Sequence, residues 1–308
     1  MSSATAPAMA FSEGRSPAHS AVPGTNTPAP MFEYQDWLPF KFASARLDGK
    51  LYERTAIFIE ATLATTGQRV RFQWDTGAPA NLLYGRAAGP VLGVGDDALP
   101  AEMALVFDSG LRMQVGFETR AALGNAPRLP DEIPLIGTLG YAFTRDMAIA
   151  IDYREQRIYW LNAQQTNALS ARWPSYFSRY RESAGHLRDK ILLDYSAPAF
   201  SGLAIFDTGS SMFELVVPPD QWALIPDTAT AENRPAPITV PAWGNPLVML
   251  PKRTDLALKV AGQPVRVTLA YTLRDDNRMA PTIGNAPFFD RIVVIDTVGK
   301  RFGVLPRD

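Results

Sequence analysis

The strongest constraint on this chain is that one pattern of strands and turns occurs twice along it, in the same order. In the first half an alternating run, Thr55 to Leu63, turns at Thr66-Gly67 and returns as Val70 to Trp74, ending in Asp75-Thr76-Gly77. In the second half Lys190 to Tyr195 turns and returns as Gly202 to Phe206, ending in Asp207-Thr208-Gly209. A hairpin-like segment follows in each half, Met103 to Phe117 around Asp108-Ser109-Gly110 and Leu256 to Tyr271 around Ala261-Gly262. Then comes a short apolar element closed by glycine, Leu135-Ile136-Gly137 in one half and Thr282-Ile283-Gly284 in the other. Each half closes with a β-type run, an Asp and an Arg five positions later, Asp152 to Arg157 and Asp296 to Arg301. The pattern predicts a mostly β chain of two homologous lobes, 36–165 and 166–308, joined somewhere in 161–189. Ahead of them, 1–35 reads as a flexible tail, since residues 1–30 hold seven Ala and five Pro with almost no large apolar side chain.

Composition narrows the chemistry. With 308 residues and 46% hydrophobic content the chain can build a real core for about two domains. Thirty basic against thirty-one acidic residues leave no global field to attract nucleic acid or an anionic membrane. No apolar run approaches the roughly 20 residues that cross a bilayer, and the first residues lack the charged and apolar regions of a signal peptide, so no membrane span is expected and the compartment stays open. The absence of Cys removes disulfides, thiol catalysis and thiolate metal sites. With only His19 and His186, a Ser-His-Asp triad or a His-rich metal centre has almost nothing to work with. No metal or cofactor is expected, and carboxylate chemistry remains.

A single Asp-Thr-Gly is a weak signal, because Asp and Gly are common turn residues and average composition yields one chance copy in about one chain in ten to twenty of this length. Two copies, each ending an apolar strand at equivalent places in a repeat, point to a pair acting together: Asp75 and Asp207. Two carboxyls close enough to share a proton can serve as general base and general acid at once, since both cannot ionise side by side; aspartic proteases are the standing illustration of that rule. Gly77 and Gly209 allow close backbone approach to the carboxyls. Thr76 and Thr208 each supply a hydroxyl that donates and accepts.

The sequence resembles the pepsin and retropepsin superfamily of aspartic peptidases over roughly residues 50–308. Phe206-Asp207-Thr208-Gly209-Ser210-Ser211 is similar to the pepsin form of the turn, and Trp74-Asp75-Thr76-Gly77-Ala78 to the retroviral form. The 132 positions from Asp75 to Asp207 are fewer than in pepsin, and the usual disulfides are absent, as in a minimal single-chain member. The resemblance implies an all-β, bilobal acid-protease-like fold and an aspartic endopeptidase with Asp75 and Asp207 catalytic, Thr76, Gly77, Thr208, Gly209 and Ser210 supporting the dyad. It implies a threonine cross-brace beneath the pair, a monomer, and a peptide or protein substrate bound extended between the lobes. Two other readings share the fold: non-hydrolytic acid-base chemistry on a peptide, and a peptide-binding module without turnover.

Several features stay open. The family implies a substrate-covering flap, for which Met103 to Phe117 is one candidate and Leu99-Pro100 another, while an ordinary core hairpin explains the first equally well. Gly89 to Gly95 reads as a loop without the Lys-Ser/Thr of a phosphate site. Trp173 to Phe177 reads as a packed connection between lobes, or an aromatic partner surface. Asp152 and Asp296 read as structural.

Overall fold

The computed structural model describes residues 36–95, 98–125, 132–181, 189–241, 246–274 and 279–306; the expected tail, both histidines and part of the expected junction lie outside them. The chain is all-β and bilobal. One sheet of eight strands is drawn wholly from the first half, from Lys41–Leu47 to Leu135–Leu139. A second, of seven, is drawn from the second half, from Leu192–Ala197 to Thr282–Ile283. Among the described residues no helix is long and apolar enough to cross a membrane.

The third sheet takes strands from both halves and displays the repeat as a rotation. Its order runs Trp37–Pro39, Arg157–Leu161, Ala148–Asp152, Ile292–Asp296, Arg301–Leu305, Phe177–Arg179, so each strand mirrors its counterpart about the centre. The central pairing is antiparallel, Ala148 opposite Asp296 and Asp152 opposite Ile292. Both central strands are buried throughout, as continuous apolar runs covered on two faces must be. Asp152 and Asp296 end these strands as turn caps: Asp152 Oδ1 accepts from the N–H of Arg154 and Glu155, and Asp296 Oδ1 from that of Gly299.

Period-two alternation explains how the two Asp-Thr-Gly turns are delivered. In Arg69–Trp74 it buries Val70, Phe72 and Trp74, and in Phe200–Phe206 it buries Ala204 and Phe206. Each strand therefore ends on a large ring fully removed from water, immediately before its Asp. Phe206 is packed edge-on by Phe288 and Phe302, with centroids 5.9 and 5.1 Å away. Burying one such ring contributes about 2–3 kcal/mol, which pins the strand end under the turn.

Two local expectations change, and a third is narrowed to one of its alternatives. The structural mate of Thr282-Ile283-Gly284 is Thr138-Leu139-Gly140, three residues beyond Leu135-Ile136-Gly137, because Gln73 aligns with Thr138 as Ile205 aligns with Thr282. Leu139 and Ile283 then accept the N–H of Asp75 and Asp207 at 2.9 and 3.0 Å. Gly89 to Gly95 is not all loop: it supplies the second half of the helix Gly85–Leu92 and its left-handed cap, Gly93, at φ 69°. Phe177 lies against Gly303, and Phe177–Arg179 pairs with Arg301–Leu305, so the aromatic stretch there is a packed connection.

Candidate active site

The fold brings Asp75 and Asp207 together, each partly exposed, at the floor of a cavity of about 600 Å³ that also takes in Gly77, Gly209 and Ser210. A larger hollow of about 740 Å³ around Arg54, Tyr153 and Phe289 includes neither aspartate.

Beneath the pair the two threonines are fully buried and hydrogen-bonded reciprocally. The Thr208 hydroxyl accepts from the Thr76 N–H at 2.9 Å and donates to the Trp74 carbonyl at 3.0 Å. The Thr76 hydroxyl accepts from the Thr208 N–H at 3.1 Å and donates to the Phe206 carbonyl at 2.9 Å. Each hydroxyl uses its donor and an acceptor on backbone from the opposite half, so four buried polar groups are satisfied by two side chains.

The glycines act across the pair. A Cβ on Gly77 would stand 2.6 Å from Asp207 Oδ1, and one on Gly209 would stand 2.4 Å from Asp75 Cγ. Each half's glycine is thus the wall against which the other half's carboxyl rests. Their amides do not divide evenly, as an N–H for each carboxyl would require: both Gly77 N–H (3.1 Å) and Gly209 N–H (2.8 Å) donate to Asp207 Oδ1. Ser210 Oγ donates to Asp207 Oδ2 at 2.7 Å. Among the described residues Asp75 accepts one backbone donor, Ala78 N–H, at 3.1 Å. Burial pushes the Asp75 carboxyl well above the usual carboxylate range; the Asp207 charge and a hydrogen bond between the two carboxyls add to this. The positive charge of Lys190 and the Ala78 N–H oppose the rise without cancelling it.

The second turn has an extra support. Asn285, fully buried, donates from Nδ2 to the Thr208 carbonyl at 3.0 Å and accepts the Tyr153 hydroxyl on Oδ1 at 2.8 Å. Burial raises the Tyr153 phenol well above its ordinary value, so it stays a neutral donor. Sequence reading passed over both residues: Asn285 stands beside Gly284 where the first half has Tyr141 beside Gly140, and a lone Asn carries no pattern.

The cavity roof also departs from expectation. Neither Met103 to Phe117 nor Leu99-Pro100 lines the cavity; Ala45, Leu47, Thr55 and Ala56 do, from the hairpin Lys41–Leu47 and Lys50–Leu63. Its tip is Asp48-Gly49, with φ of 47° and 82°, the geometry that an Asp-Gly pair between strands favours. Leu47 is buried among Phe213, Val216 and Met249 of the second half, and Asp48 Oδ2 accepts the Thr239 N–H at 2.6 Å. Asp48-Gly49 was the overlooked signal for this hairpin. The remaining wall is apolar, with Met212, Phe213, Leu247 and Met249 prominent.

No protein-family model matches the chain, and no curated protein sequence does. Among solved structures it is similar to the crystal structure of Basic 7S globulin from soybean, at 9% identity and a TM-score of 0.46, over 88% of this chain and 95% of that one.

Proposed function

We propose that the chain is an aspartic endopeptidase, and the observation that carries this reading is one pair of carboxyls brought together in a single cavity and held from below by reciprocal threonine bonds. With one proton on the pair, burial and the scarcity of donors put it on Asp75, while three donors hold the charge of Asp207. A water between them loses a proton to Asp207 as its oxygen adds to the peptide carbonyl, and Asp75 delivers its proton to the carbonyl oxygen. The resulting gem-diol collapses as Asp207 passes its proton to the amide nitrogen, the C–N bond breaks and one hydroxyl proton returns to Asp75, giving an acid and an amine with the pair again singly protonated. Met212, Phe213 and Met249 favour a large apolar side chain beside the scissile bond. Both carboxyls come from one chain, so the active unit is a monomer.

The test is a random peptide library incubated with the protein from acidic to neutral pH and read by mass spectrometry. Cleaved products are expected, with Asp75→Asn and Asp207→Asn each lowering turnover by at least about 10³-fold and the double variant costing little more. Peptides modified but uncleaved would indicate non-hydrolytic acid-base chemistry, peptides retained unchanged would indicate a binding module, and a single variant near the parent rate would remove the assignment. Specific activity is expected to hold on dilution; a steep fall matched by dissociation in sedimentation would overturn the monomer.

A further inference from the structure

The two halves differ at one position beside the dyad. In the first half the ladder aligns Phe58 with Gln73, and two residues on it sets Ala56 opposite Asp75. In the second half it aligns Leu192 with Ile205, and Ile191 accepts the Phe206 N–H at 2.9 Å, which sets Lys190 opposite Asp207. Ala56 and Lys190 are therefore equivalent under the rotation that exchanges the aspartates. Ala56 lines the apolar cavity at one end of the pair; Lys190 does not line it, so the same rotation places Lys190 at the other end. Lys190 is partly buried, and among the described residues no hydrogen bond or ion pair holds its ammonium. Neighbouring Asp189, by contrast, pairs with Arg145 at 3.1 Å. The positive charge of Lys190 acts on Asp75, opposing the rise of its pKa.

We infer that Lys190 is a substrate-recognition residue that selects a carboxylate side chain, so that the preferred peptide carries an acidic residue on the side of the scissile bond away from the apolar cavity. This rests on the peptidase reading and deepens it: the peptide crosses the dyad with an apolar anchor at one end and a negative charge at the other. A partly buried cation that no hydrogen bond or ion pair holds among the described residues can pair with a carboxylate brought by a ligand, which makes it a discriminator between Glu and Gln of nearly the same shape.

Binding tests this separately from turnover. Immobilised Asp75→Asn protein is exposed to a random peptide library and the retained peptides are sequenced; the experiment is repeated with Lys190→Met, which keeps the aliphatic stem, and with Lys190→Glu. Asp and Glu are expected to be enriched about fivefold at one position to one side of a large apolar residue, a ratio typical of a partly exposed ion pair. The enrichment should vanish in Lys190→Met and turn to Lys and Arg in Lys190→Glu. Equal acidic content in all three sets, or no retained peptide, overturns the inference. The peptidase reading is judged apart from it, by cleavage with the parent protein.

Discussion

The turns at Asp75 and Asp207 share three residues and a threonine brace, yet they hold their carboxyls differently. Asp207 receives two backbone amides and a hydroxyl, one of the amides from the opposite half, whereas among the described residues Asp75 receives one backbone amide, from Ala78, and otherwise faces the Asp207 carboxyl. Equivalent sequence thus delivers equivalent position, while the surroundings differ: burial, and the Asp207 carboxyl beside it, raise the pKa of Asp75. The residue after each glycine, Ala78 or Ser210, contributes one part of that difference, and the direction in which Gly77 points its N–H contributes another.

The largest test of the comparison is a methyl group at either glycine. Gly77→Ala and Gly209→Ala drive a Cβ against the opposite carboxyl, and each is expected to lower kcat by about 10²-fold or more through displacement of that carboxyl. Unchanged kcat in either variant would remove the crossed arrangement. Next in size are Thr76→Val and Thr208→Val, each of which strips partners from a buried N–H and a buried C=O of the other half. A loss of about 2–4 kcal/mol in denaturant unfolding is expected for both. Values that differ strongly would show that the brace is less symmetric than its geometry.

Stability against pH sharpens the comparison further. Because the folded-state pKa of Asp75 is raised, folding is favoured while Asp75 is protonated, below its unfolded pKa in the ordinary carboxylate range. That advantage is lost as pH rises through the window between the unfolded value and the raised folded one. Asp75→Asn removes the loss, so its melting temperature should exceed the parent's at neutral pH and match it in strong acid. A variant less stable than the parent at neutral pH would contradict the burial cost. The smallest effect is on the pH profile of cleavage. Ser210→Ala takes a donor from the pair's negative charge and should move the bell toward higher pH, and Ala78→Ser should move it lower. Opposite shifts, or none in either variant, would reject this account of the asymmetry.

The strands that end at Trp74 and Phe206 were legible because alternation is local and the turn chemistry repeats. Features that depend on contacts far along the chain were not. The glycine elements slipped by three residues because Leu135–Leu139 is apolar at most positions, and nothing in such a run fixes register until Gly140 lies against Ala78 and Ala80. The cavity roof was missed because Leu47 finds its partners at Phe213, Val216 and Met249. Asn285, Tyr153 and Lys190 each carry one side chain of ordinary type, and only the fold sets them beside the dyad's turns.

The sheet that joins the halves also bears on when the two aspartates can meet during synthesis. Ala148–Asp152 pairs with Ile292–Asp296, which is itself flanked by Arg301–Leu305, so a nascent chain displaying only the first half has an unmatched strand edge and only Asp75 of the pair. Such distant pairings form late and slowly. On the peptidase reading, a ribosome-bound fragment ending before Asp207 lacks the pair needed to hydrolyse its neighbours, and the pair first forms when the second half has emerged and closed against the first.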